Sequence, residues 1–563
     1  MFFPTSTTLT NKPLIKKVFS FVIIIFLTFF VVKNAYSQSG IFQTHDGEVH
    51  VIRSLHFFSE LKKGQFPVRV VPDLAYQYSY PVFQFFYPLP YYVVAIFQLI
   101  GFSTTQSWRL ALTSSTFLSL WFFFKWMRCS VKQNSALIAT TVYALVPFRF
   151  LTIFVTGQVG GYFSLVFAPL IAWGLYQLLD KTKNHTTGGI MVAIGIAGMI
   201  TSHLLSVIIF FLTLASYGLY LLLTNFSWKN FRRLLLWIII GLGLSSFYLI
   251  PFLAEKSSVK LGQEILINHR DHWPTFSQLI YSPWGHGFSQ TDSADGLSFQ
   301  VGVVVLASWV ISLLLYLRNK KNNQIALVFL LTGAFSFFLM LKQSSSIWEI
   351  LFPLQYLQYP WRLLAATTFI GAWLAGWSLD NLPNKKGAIL SIFLVTIALI
   401  NIRNYTKPWP LDWKTDQDFI ANKQSYYSST DISWELMPAN ATEVPQELGD
   451  EIVADGQDVI VSYISRPNSG DTKLRFTVKS DQPAKLILPV WRYPYWSVKV
   501  NEEVVKTDSN EGKIEIEIKP GNSAVELILI KTLIQKIADV TSIVFFAIIV
   551  IITLKKAKNG SKL

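Results

Sequence analysis

Long apolar runs separated by short basic segments fill most of the first 400 positions of this chain. A membrane-spanning helix needs about 20 mostly apolar residues. Twelve stretches read that way: 18–32, 109–124, 135–152, 162–179, 187–202, 204–223, 233–253, 299–317, 324–341, 361–379, 387–402 and 535–554. The apolar stretch Pro90–Gly101 is too short to span and opens on Pro88 and Pro90, so it is expected to lie in the interface or to re-enter it. After position 403 the period changes. Lys473–Lys479, Lys485–Leu488, Val498–Val500, Ile514–Ile518 and Val525–Ile530 alternate apolar and polar between Gly, Asn and Asp turns, the pattern of antiparallel strands. The predicted architecture is mainly α: a polytopic membrane helix bundle of about twelve spans in 1–402, with outer loops 34–108 and 254–298. A small β-sandwich in 403–534 and a last transmembrane helix with a basic tail in 535–563 complete it.

Composition agrees with this class. Hydrophobic residues make up 52% and charged residues 14% of the 563 positions, against roughly 25% charged in soluble domains. The net charge of +15 therefore reflects the positive-inside bias and not a nucleic-acid partner. With both ends inside, the inner segments hold twenty Lys/Arg against two acids, Asp180 and Asp380. This places the chain in the inner or plasma membrane, both termini in the cytoplasm and the β-domain on the outer face. The first apolar run, followed by Ala35 and Ser37, also fits a cleaved leader, which would leave the remaining topology unchanged. The single cysteine, Cys129, excludes an internal disulfide. No repeat and no nucleotide-binding loop is present.

The densest polar cluster follows the first span: His45, Asp46, Glu48, His50, Arg53 and His56. In an extended segment Asp46 and Glu48 share one side. There they can hold Mg²⁺ or Mn²⁺, or supply a general base; a solvated loop start is the plainer alternative. Arg109, Arg149 and Arg362 stand near outer ends of spans, with Arg53, Arg69 and Arg270 in outer loops and His203 at an outer turn. Arginine suits bidentate contacts to phosphate, so these residues are candidates for clamping a lipid phosphate, with snorkelling to ordinary headgroups as the alternative. No His spacing matches a zinc site. The aromatic-proline run Tyr76–Tyr92 fits an ordinary interfacial belt better than a sugar platform.

Four segments carry a resemblance: His45-Asp46-Gly47-Glu48, Gly64-Gln65-Phe66-Pro67-Val68-Arg69, Tyr87-Pro88-Leu89-Pro90-Tyr91-Tyr92 and Trp108-Arg109-Leu110. Their layout resembles that of GT-C glycosyltransferases. Gln358-Tyr359-Pro360-Trp361-Arg362 and the Trp491–Asn501 segment look like later motifs of bacterial YfhO-like and "6-pyruvoyl-tetrahydropterin synthase-related" membrane proteins. The resemblance implies transfer of a sugar from a polyprenyl-phosphate carrier to an envelope acceptor. Asp46 stands in the position of the first-loop acid and Glu48 where some members have a second. A later acidic pair is missing, with Asp271 a candidate only. Two other classes stay open. A transporter or flippase of lipid-linked saccharides would place ionisable residues deep in its spans, where almost none are seen. A non-catalytic envelope-binding protein would tolerate loss of Asp46.

Overall fold

The computed structural model describes residues 12–560 except 181–183, 263–267, 291–295, 319–322, 410–411, 429–433, 450, 456–458 and 466–471. Of the cations expected on the inner side, Lys181, Lys183, Lys320, Lys321 and Lys562 lie outside the described residues. Six described helices are long and apolar enough to cross a membrane, and up to nine spans result if three bent pairs count as one span each. The other three expected spans correspond to Thr104–Met127, Val303–Arg318 and Leu364–Asp380, which are not among them.

The bends depart from the straight spans expected at 135–152, 233–253 and 324–341, and two have a local cause. Gln133–Ala144 breaks by 44° before Pro147. Val146 is pushed to extended backbone there, because a proline ring clashes with a helical predecessor. Trp228–Leu244 turns by 72° at Ser245 and Ser246, directly after Gly241 and Gly243, a composition at which helices kink. The third pair bends by 97° between Phe338 and Lys342. The stretch expected in the interface is an 11-residue helix, Leu89–Leu99.

Two antiparallel sheets form the region after the bundle. One orders Val453–Asp455, Ala484–Trp491, Lys513–Ile518 and Asp508–Asn510; the other orders Ile460–Ser465, Thr472–Ser480, Gly521–Leu529, Trp496–Val500 and Glu503–Val505. Alternation explains the core: Leu486 and Leu488, Ile514, Ile516 and Ile518, and Leu474, Phe476 and Val478 are all buried, as period two requires of a sheet with one dry face.

This β-region is docked on the segment between the first two expected spans by main-chain bonds. Gly449 N–H donates to Tyr76 O (2.9 Å) and Trp491 N–H to Tyr78 O (2.8 Å), with the Tyr78 and Trp491 rings 5.1 Å apart. A two-stranded ribbon, Ile41–Phe42 with Trp413–Lys414, ties the start of that segment to the chain leaving the bundle. The C-terminal helix Leu533–Gly560 is fixed by a mostly buried ion pair, Arg69 to Asp539 at 2.5 Å. Arg69 also donates to Phe247 O at 2.8 Å.

Candidate functional site

Asp46 is not in an extended segment. It caps a helix, Gly47–Lys62, whose first turn contains Glu48. At 100° per residue, positions two apart point to nearly opposite sides. Glu48 turns away to Lys414 of the ribbon, 2.8 Å distant. The carboxylate pair expected to share Mg²⁺ or Mn²⁺ is therefore not brought together. Among the described residues no group of three or more His, Cys, Asp or Glu side chains converges. The charges acting on Asp46 are those of His45, Arg362 and Arg53. One carboxylate among two guanidinium groups does not fit a divalent cation held by the protein.

The backbone around Asp46 is held by a widened helical turn, Thr152–Thr156. His45 N–H donates to Val155 O (2.9 Å) and Asp46 N–H to Thr156 O (3.1 Å), while Thr44 Oγ1 accepts from Gly47 N–H (2.9 Å). Gly157 closes the turn at φ +64°, and any Cβ there would overlap Thr44 Oγ1. Glycine is required twice over, by its backbone angle and by the close approach. Asp46 keeps a little accessible surface yet sits deep, and burial pushes its carboxyl above the usual carboxylate range against the pull of His45, Arg362 and Arg53.

The helix after Asp46 carries the next two groups. Arg53 is buried, lies 4.5 Å over the Phe86 ring and hydrogen-bonds the Tyr91 hydroxyl. His50 Nδ1 is 2.6 Å from the same hydroxyl. Arginine can only donate, so Tyr91 O accepts from Arg53 and its own proton is free for His50 Nδ1. That arrangement needs a neutral imidazole. Burial, followed by Arg53 and His203, accordingly pulls His50 down to about 3. His203 packs edge-on to Tyr87 at 5.5 Å and bonds Ser206 Oγ at 2.7 Å.

Arg362 reaches the cluster from the turn Pro360–Leu363, directly before helix Leu364–Asp380. It donates to Leu357 O (2.7 Å) and Gln358 Oε1 (3.1 Å) and lies 5.0 Å over the Tyr359 ring. Its Nε is buried with no acceptor among the described residues. Gln358 has φ +63° and ψ −44°, and Tyr359 N–H bonds Leu357 O at 2.6 Å. This is a γ-turn of the rarer, strained hand. Strain of about 1–3 kcal/mol at such a residue concentrates at functional sites. His45 completes the wall: its Nε2 is 2.9 Å from His286 O and its ring stacks 4.3 Å from Phe288.

Of the residues singled out in the sequence, Asp46, His45, Arg53, His203 and Arg362 thus converge, with Glu48 at the edge. The other arginines stand elsewhere with their own partners. Arg69 holds Asp539. Arg109 donates to Gln38 O at 2.7 Å beside Tyr36 and Trp413. Arg149 is buried in the bundle on Tyr143 O and Ser119 Oγ. Arg270 pairs with Glu349 at 2.7 Å in an exposed clip. One acid was not anticipated. Glu435 lies within reach of the Arg53 charge, and burial pushes it up to about 7. It sits in a stretch without periodicity or motif, so nothing local marks it.

No protein-family model matches the chain. An uncharacterised protein of Lactococcus lactis subsp. cremoris (strain MG1363) is 25% identical over 247 residues, which is 42% of this chain and 40% of that protein. The match thus spans less than half of the relative's length. Two solved structures are similar in part. The arabinofuranosyltransferase AftD from Mycobacteria aligns with a TM-score of 0.45 and 16% identity, over 71% of this chain and 27% of that one. The Archaeoglobus fulgidus oligosaccharyltransferase in its apo form aligns with a TM-score of 0.40 and 14% identity, over 79% of this chain and 62% of that one.

Proposed function

We propose that this chain is a membrane glycosyltransferase of the GT-C type that moves a sugar from a polyprenyl-phosphate carrier to an envelope acceptor, at the membrane face bearing the β-domain. The observation that carries the reading is the setting of Asp46, a deep carboxylate with two arginines acting on it. In this reading the acceptor hydroxyl gives its proton to the Asp46 carboxylate as its oxygen bonds to the anomeric carbon. The bond from that carbon to the carrier's phosphate oxygen breaks, and the phosphate leaves as an anion. Arg53 and Arg362 stabilise that charge where burial makes electrostatics strong. The reading routes no step through a metal.

Sugar transfer by purified protein in lipid, with polyprenyl-phosphate sugars and an envelope acceptor pool, tests it. Removing a general base typically costs 10²–10⁴-fold, so Asp46→Asn should lose transfer by about that factor, and transfer should persist in EDTA. Because Asp46 works ionised and burial raises its proton affinity, wild-type activity should fall on acidification at a pH above the ordinary carboxylate range. Equal transfer by wild type and Asp46→Asn would refute the assignment. No transfer by a folded wild type that still binds the carrier would favour transport or binding.

A further inference from the structure

A cavity of about 590 Å³ opens where the start of helix Val303–Arg318 meets the end of helix Asn384–Ile402, its lining residue Trp284 packed on His286, whose carbonyl meets His45. Its volume is that of a small-ligand site. Its two halves differ in chemistry. Val303, Ile397 and Ile400 make one side apolar, and Val303 and Ile400 remain about half exposed. Helix Asn384–Ile402 is one of the span-length apolar helices, and little of it is covered by protein. This side therefore faces acyl chains. The other side carries Arg403 and Lys407, both exposed and with no hydrogen bond or ion pair among the described residues. Among the described residues, no acid lines the cavity.

The back of the cavity is braced. Tyr405 is buried, bonds Ser282 O at 2.5 Å and packs 4.8 Å from the Trp284 ring, and Asn401 donates to Gln300 at 3.0 Å. The Trp284 indole N–H is itself without an acceptor among the described residues. Two cations with no partner among the described residues, directly past the end of a lipid-facing helix, attract anionic headgroups. A soluble anion would satisfy the cations and leave the apolar side bare. A lipid with a charged phosphate covers both.

We propose that this cavity seats the phosphate headgroup of an anionic glycerophospholipid from the surrounding leaflet, with its acyl chains against Val303, Ile397 and Ile400 and its phosphate on Arg403 and Lys407. The site does not depend on the transfer reaction.

The test uses the full chain in nanodiscs containing brominated phosphatidylglycerol or brominated phosphatidylcholine. Quenching of Trp284 is read as the difference between wild type and Trp284→Phe. Each surface cation contributes about fivefold to retention of an anionic lipid. Wild type should therefore prefer phosphatidylglycerol at this position by on the order of tenfold or more, and Arg403→Gln/Lys407→Gln should bring the ratio to parity. Both side chains are exposed, so the double variant should keep the wild-type melting temperature, and Lys407→Arg should retain the preference. An equal ratio in wild type, or an unchanged ratio in the double variant, would overturn the proposal. So would displacement by soluble glycerol 3-phosphate, which would make this a free-anion site, or by equimolar polyprenyl phosphate, which would make it a carrier site.

Discussion

Replacing Glu435 by glutamine removes a charge that the fold buries at a cost. Burial lifts this carboxyl to about 7 from an ordinary 4.5, although the Arg53 charge pulls the other way. At about 1.4 kcal/mol per tenfold change in proton affinity, the ionised form destabilises the folded state by about 3 kcal/mol. The native state holds the proton more tightly than the unfolded chain. The stabilising contribution is thus fully present below pH 4.5 and is lost as pH rises through about 7. The glutamine side chain would mimic the protonated form at every pH. The assay is thermal unfolding of both proteins in one detergent between pH 5 and pH 8. Wild type should lose melting temperature across that interval relative to Glu435→Gln, and the curves should converge at the acid end. Parallel curves over the whole interval would show that Glu435 is hydrated, and the argument for its place beside Arg53 would fail.

Other substitutions probe the scaffold and the site separately. Arg69→Ala leaves Asp539 without its shorter ionic partner in a mostly buried position, so stability should fall by about 3 kcal/mol, measured as an earlier melting transition and faster proteolysis ahead of the C-terminal helix. Asp539→Asn with Arg69→Gln together should cost less than either charge removed alone. Gly157→Ala puts a Cβ into Thr44 at a left-handed position. We expect about 1–3 kcal/mol of destabilisation and a loss of transfer larger than stability explains, because the turn that holds Asp46 moves. Gln358→Gly relieves the γ-turn but deletes an acceptor of Arg362. Melting should be unchanged or raised while transfer falls, and a parallel fall in both would deny Arg362 a positional role.

Helices of bilayer length and a β-rich region near the C-terminus were legible in the chain alone, because both follow from local rules. Membrane thickness sets how long an apolar run must be, and pleating sets the period of two in Lys485–Leu488 and Ile514–Ile518. The polar cluster at His45–Arg53 was visible for the same reason, being contiguous. What each charge does was not legible, because its partner is remote in sequence. Arg53 and Arg69 stand sixteen residues apart between the same two expected spans, yet one enters the Asp46 cluster and the other binds Asp539 on the C-terminal helix. Glu48 looks like the twin of Asp46 until folding brings Lys414 to it and a helix start turns it aside. Glu435, the strained Gln358 and the bond from Arg53 through Tyr91 to His50 exist only once distant segments pack. Desolvation and charge pairing depend on what surrounds a group in space, so tertiary structure alone decided which polar residues form a site and which hold the fold together.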